Sequence, residues 1–230
     1  MNAMLRAIIF DFNGVLVNDE PLHFKLFQRV LAEHGIVLDE ADYYRRYLGM
    51  DDRGCFQSAF ADRGRRLEES LLRMLVERKA AYYQERIVDD LATFPGADRL
   101  VPALAERYPL AIASGALRSE IEAILERIEL KRFFQVIVSA EDVARGKPEP
   151  EIFLKALAGL NRERPPTATI APAECLVIED SKEGILGAQR AGMKCIAVAH
   201  SYPAAQLGDA DAVFEKLAEI NPRLAEEMFS

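Results

Sequence analysis

The chain has 230 residues, half of them apolar and 29% charged, a composition that excludes a disordered chain and builds a core without disulfides or structural metal. Its 29 Lys plus Arg against 37 Asp plus Glu leave a formal charge of −8, which excludes nucleic-acid binding through bulk electrostatics. Three cysteines without C-x-x-C spacing (Cys55, Cys175, Cys195) and three scattered histidines (His23, His34, His200) argue against a disulfide framework and a zinc site, and point to a cytoplasmic setting.

At roughly 150 residues per domain, the length suits one domain with an insertion, or two small domains. Met1 to Phe10 carries one Arg and no cleavable apolar segment, and is read as neither signal nor transit peptide. It runs directly into Ala7-Ile8-Ile9-Phe10, an apolar run ending at Asp11 with the length of a buried parallel strand. Residues 17–88 then change character. Leu22, Phe24, Leu26, Phe27, Val30 and Leu31 make one helical stripe, and Tyr43, Tyr44, Tyr47 and Leu48 a second. Leu71, Leu72, Leu75 and Val76 open an amphipathic stretch to about Ile87, with Arg63 to Glu69 a solvated connection before it. No strand of comparable quality appears, so residues 17–88 are expected to form an inserted helical domain. Thr93-Phe94-Pro95-Gly96 is turn-like and returns the chain to a core of residues 1–16 and 89–230.

Strand-like runs then recur at Leu110–Ala113, Val136–Val138, Leu176–Ile178, Cys195–Val198 and, more weakly, Ala212–Phe214. Helical patterns follow at Arg118–Ile128, Glu151–Leu160 and Ser181–Ala191, and the proline-rich 161–172 is expected as a surface loop. Strand, polar residue, helix, repeated, predicts a doubly wound parallel α/β (Rossmann-like) sheet, with ligands at the carboxyl ends of its strands. No apolar run reaches the roughly 18 residues that cross a bilayer, so no membrane partner is expected.

Four polar groups fall at those strand ends: Asp11, Ser114, Lys147 and the pair Glu179-Asp180. Singly, a carboxylate there is as readily a helix cap, and a Lys before Pro a solvated loop residue. Together they make a chemical unit. Asp11 and Asp180 offer oxygens to a hard cation such as Mg²⁺. Ser114, with the amides of Gly115 and Ala116, offers hydrogen bonds to phosphate at a helix N-terminus, and Lys147 adds positive charge.

Four segments in order carry a family resemblance: Phe10-Asp11-Phe12-Asn13-Gly14-Val15-Leu16-Val17, Ala113-Ser114-Gly115, Gly146-Lys147-Pro148-Glu149-Pro150, and Val177-Ile178-Glu179-Asp180-Ser181 with Gly184, Ala188, Ala191 and Gly192. The chain resembles the haloacid dehalogenase superfamily, in the branch with a helical cap after the first motif. The resemblance implies that Asp11 is the nucleophile of an aspartyl-phosphate mechanism. It implies Mg²⁺ held by Asp11, the main-chain carbonyl of Asn13 and Asp180, with Glu179 nearby. It further implies phosphate binding by Ser114, Gly115, Ala116 and Lys147. Inside the cap, His23, Arg53 and Lys79 are similar to substrate-reading positions of β-phosphoglucomutase relatives, although His23 also falls near an apolar stripe and Arg53 and Lys79 are common surface types. Met50 and Phe56 are expected to be packing residues.

One departure bears on rate. The family's phosphatases carry a second Asp two residues after the nucleophile, as acid and base, and this chain has Asn13. An amide orients a water but moves no proton at neutral pH. The expected function is Mg²⁺-dependent hydrolysis of a small phosphorylated metabolite. The alternatives are a phosphosugar mutase, and a binding protein impaired in catalysis by Asn13. Carbon–halogen and phosphonate hydrolysis fit less well: the acid pair suits a metal site, and the Leu48–Arg53 loop carries no Lys. Oligomeric state is left open.

Overall fold

Six short apolar runs build one parallel sheet in the computed structural model, which describes residues 4–48, 50, 52–86 and 92–229. In chain order, β1 (Ala7–Phe10) and β2 (Val17–Asn18) are followed by four helices: α1 (Glu20–Ala32), α2 (Glu40–Arg46), α3 (Asp52–Ala61) and α4 (Glu69–Arg86). Then come β3 (Ala92–Thr93), α5 (Ala97–Ala105), β4 (Leu110–Ala113), α6 (Arg118–Arg127) and β5 (Phe134–Val138). The chain ends with α7 (Glu151–Asn161), β6 (Cys175–Glu179), α8 (Lys182–Arg190), β7 (Lys194–Val198), β8 (Ala212–Phe214) and α9 (Pro222–Glu227).

The order across the sheet is β5-β4-β1-β6-β7-β8. Counting only these six strands in chain order, that is 3-2-1-4-5-6, the doubly wound arrangement whose switch point lies beside the first strand. β1 is central, paired in parallel with β4 (Phe10↔Ile112) and with β6 (Phe10↔Ile178). Its four side chains are fully buried, as are those of β4 and β6, which is why these strands are continuous apolar runs rather than alternating ones. Ile9, Ala111, Val177, Phe153 of α7 and Ile185 of α8 belong to one core cluster on one face.

The chain divides into two units: the sheet unit up to Asn18 and from Ala92 onward, and a helical unit beginning at Asp19. The helical unit thus starts two residues later than residue 17, because Val17–Asn18 pairs antiparallel with Ala92–Thr93 in a small ribbon of the sheet unit. The expected boundary at 88/89 lies outside the described residues, as do Ile87 and Gly49. In the helical unit, Phe27, Val30, Leu31, Tyr43, Phe56, Phe60, Leu72 and Leu75 form the core. Tyr43 and Tyr47, one turn apart, are buried, whereas Tyr44 faces outward. Phe56 packs as expected, but Met50 does not: it is 44% exposed, its sulfur 3.8 Å from Ser58 Oγ. The 161–172 segment is a loop pinned by Asn161, which exchanges two 2.9 Å hydrogen bonds with the main chain of Ile170. Among the described residues, no helix is long and apolar enough to cross a membrane.

Candidate active site

The register of the sheet assembles the site. Phe10 and Ile178 are partners, so the residues just beyond them, Asp11 and Glu179-Asp180, emerge side by side at the switch point. One carboxylate oxygen from each of Asp11, Glu179 and Asp180 lies within 4.8 Å of the others, and all three residues are buried. Lys147 Nζ bridges the group, donating to Asp11 Oδ1 at 2.6 Å and to Glu179 Oε1 at 2.5 Å. Its ammonium also lies 5.2 Å from the ring centre of Phe153.

Glu179 Oε2 accepts from Asp180 N (2.9 Å), Ser181 N (3.0 Å) and Ser181 Oγ (2.9 Å). Both its oxygens are therefore engaged by protein donors, and it fixes Lys147 and the turn into α8. Two glycines let the main chain approach this group. A Cβ on Gly14, whose φ is +77°, would sit 1.9 Å from Asp180 Oδ2, and a Cβ on Gly184 1.9 Å from Glu179 Oε1. Gly14 sits in a tight loop after Asp11, closed by Gly14 N–H to Val17 O at 2.8 Å and Leu16 N–H to Phe12 O at 2.9 Å. Asn13 lies in that loop and bridges to Val17 through the main chain.

Burial raises the Asp11 carboxyl to about 7, with Lys147 opposing the rise and Glu179 adding to it. Burial, then Glu179 and Asp11, pushes Asp180 well above the carboxylate range. Burial would lower Lys147, yet Asp11 and Glu179 overcome it and hold its ammonium above the usual lysine range. Three carboxylates against one ammonium leave an excess of buried negative charge. A divalent cation with a preference for hard oxygen donors fits that donor set, because it removes the excess and matches the ligand type.

Ser114 follows β4, on the other side of β1, and is 2% exposed. Its Oγ accepts the Ala116 N–H at 3.1 Å. That differs from the expectation of an Ala116 amide aimed at phosphate, and the reason is local. The first helical residue of α6 is Arg118, so Ser114–Ala116 form a turn ahead of the helix, and Ser114 closes that turn. Gly115 is exposed there.

The helical unit holds a separate buried network. Lys79 is 1% exposed rather than a surface residue, and donates to Asp52 Oδ1 at 2.6 Å and to His23 Nδ1 at 2.7 Å. That leaves the His23 Nε2 proton for Asp19 Oδ2 at 3.2 Å, an oxygen that also accepts from Tyr83 at 2.8 Å. Lys79 sits 4.2 Å from the ring centre of Phe27, and His23 stacks on Tyr83. Arg53 is outside the network, in an exposed pair with Glu69 at 2.7 Å.

Sequence reasoning missed His200 and Ser201. Ser201 Oγ donates to Asp180 Oδ2 in a short hydrogen bond. His200 Nδ1 lies 2.8 Å from Gly14 O, and burial lowers its pKa. Both follow β7, so the rule that polar residues at strand carboxyl ends mark the site was sufficient to find them.

The family model described as haloacid dehalogenase-like hydrolase matches residues 8–198. The phosphorylated carbohydrates phosphatase of Thermotoga maritima is 32% identical over 92% of this chain and 91% of that protein. The β-phosphoglucomutase of Bacillus subtilis is 30% identical over 97% of this chain and 95% of its own. A family IA haloacid dehalogenase hydrolase from Entamoeba histolytica shares the fold, with a TM-score of 0.78 at 23% identity, over 98% of this chain and 99% of that one.

Proposed function

The chain belongs to the haloacid dehalogenase-like hydrolases, and from that premise we infer that it is a Mg²⁺-dependent phosphatase of a small phosphorylated metabolite, with Asp11 as nucleophile. The observation that carries this reading is the buried cluster at the switch point, in which Asp11 is held 2.6 Å from Lys147 and beside Asp180. Mg²⁺, held by Asp11, the Asn13 carbonyl and Asp180, would supply the positive charge that offsets repulsion between carboxylate and phosphate. The Asp11 carboxylate attacks phosphorus, the ester P–O bond breaks, and the leaving oxygen departs as an alkoxide that takes its proton from solvent water. Water then attacks the phosphorus of the aspartyl-phosphate, releasing phosphate and restoring Asp11. Lys147 fixes the direction of the Asp11 carboxylate and shares its charge with the bound phosphate. Ser114 and the amides of Gly115 and Ala116 receive the phosphate oxygens once the Ser114–Ala116 bond opens. Asn13 orients water or leaving group without carrying a proton.

His23, Arg53 and Lys79 are placed by this reading among the groups that recognise the rest of the substrate. Lys79 is already neutralised by Asp52, and Arg53 by Glu69. A mutase depends on acid and base transfer more heavily than a phosphatase does, so Asn13 favours hydrolysis. The mutase reading draws its support from the Bacillus relative. Three buried free thiols agree with a reducing, cytoplasmic compartment.

The test is phosphate release from a panel of sugar phosphates and phosphoglycolate, with Mg²⁺ and with EDTA, by wild type and Asp11→Asn. Release that requires both Mg²⁺ and Asp11 is expected. Interconversion of sugar phosphates without release would establish the mutase, and release by Asp11→Asn would remove Asp11 from its role.

A further inference from the structure

His200 is held on three sides. Its ring stacks on Phe94 at a centroid distance of 3.7 Å and an interplanar angle of 14°. Phe94 is itself tied to the Asp11 loop through its N–H to Leu16 O at 3.1 Å. The Leu217 N–H points at His200 Nε2 from 3.4 Å. A main-chain N–H only donates and a carbonyl only accepts, so Nε2 is the acceptor and Nδ1 carries the proton given to Gly14 O. The ring thus stands in one tautomer and one plane, with its proton on the loop that carries Asn13.

The next residue acts on Asp180. Ser201 Oγ donates to Asp180 Oδ2, the same oxygen that lies against the Gly14 Cα. That commits Oδ2 to protein contacts and leaves Oδ1 as the Asp180 oxygen directed to a cation. Both residues follow β7, which is paired to β6 by Glu179↔Ala197, so the dipeptide and Asp180 share one rigid frame.

We propose that His200 and Ser201 are positioning residues of the cation site: His200 sets the Asn13–Gly14 main chain, Ser201 selects the Asp180 oxygen, and together they fix the spacing between two ligands that come from different strands. The proposal rests on the cation site assigned above, and groups that orient metal ligands are typically worth about 10–100-fold in metal affinity.

The test is Mg²⁺ affinity by isothermal titration calorimetry on wild type and four variants, with melting temperature in EDTA as the control for folding. Ser201→Ala removes the donor and Ser201→Thr keeps it. His200→Gln places its amide where Nε2 stands and loses the Gly14 contact, whereas His200→Asn places it where Nδ1 stands and keeps it. Ser201→Ala and His200→Gln should each weaken Mg²⁺ binding by about 10-fold or more, while Ser201→Thr and His200→Asn recover most of it. The melting temperature of Ser201→Ala in EDTA should match wild type, because Ser201 is partly exposed and lies outside the core. Wild-type affinity in Ser201→Ala and His200→Gln, with wild type binding normally, overturns the clamp and leaves the cation site standing. Equal loss in all four variants overturns the hydrogen-bond basis. Absence of binding by wild type overturns the cation site and the clamp with it. Should His200→Gln fail to fold, the Ser201 pair decides.

Discussion

At residue 13 an amide stands two positions after Asp11, the carboxylate proposed as nucleophile, where it can hold a water but cannot take or give a proton. Restoring a positioned acid and base with Asn13→Asp should raise turnover by up to about 10²–10⁴-fold. The gain should reach p-nitrophenyl phosphate through base-assisted hydrolysis of the common aspartyl-phosphate, and sugar phosphates through that step and through protonation of their alkoxide leaving groups as well. Steady-state rates on the two substrate classes check it, with mass spectrometry of the wild-type peptide to exclude deamidation at Asn13-Gly14. Gly14→Ala should abolish activity and lower stability by about 1–3 kcal/mol, since it combines a positive φ with a Cβ 1.9 Å from Asp180 Oδ2. Urea unfolding gives the second figure. At this scale the sequence was informative where chemistry and strand ends coincide, as at Asp11, Ser114, Glu179 and Asp180. Lys79 shows the converse. It falls on the face of α4 that buries Leu72, Leu75 and Tyr83, so its burial was readable from spacing, but its carboxylate partner Asp52 is 27 residues away and carries no periodic signal.

Among the elements, the parallel strands are legible because burial on both faces leaves continuous apolar runs, and β1 is the clearest of them. Phe10→Ala in that strand should cost about 3–5 kcal/mol, the usual penalty for emptying a fully buried aromatic site, measured by denaturant unfolding. The β2–β3 ribbon was not legible, because two residues are too few to show alternation. α3 was missed for a different reason: its buried Cys55, Phe56, Ala59 and Phe60 follow Gly54 and acidic residues that resemble a loop. In the helical unit, Asp52→Asn leaves the buried Lys79 ammonium without its carboxylate. The expected loss is about 1–3 kcal/mol, below that for a fully buried pair because Asp52 is partly exposed. Urea unfolding measures it. Full stability in that variant would show that His23 and Phe27 suffice for Lys79.

Taken whole, the fold gathers more negative charge at one switch point than its own lysine balances. Mg²⁺ should therefore stabilise the native state, by about 2.7 kcal/mol at one hundred times its Kd, and Asp180→Ala should remove most of that gain; a thermal melt with and without Mg²⁺ reads both. The central claim is that phosphate passes through Asp11. Because residue 13 is an amide, a substrate with a good leaving group should phosphorylate Asp11 quickly, while water attack on the aspartyl-phosphate proceeds without a base and limits turnover. The direct measurement is a rapid-quench experiment with p-nitrophenyl phosphate and Mg²⁺, read as p-nitrophenol released and as the mass of the peptide containing Asp11. The expected result is a burst approaching one product per enzyme, with a phosphoryl adduct on that peptide that is absent in EDTA and in Asp11→Asn. Linear release with no adduct, or an undiminished burst from Asp11→Asn, would contradict it.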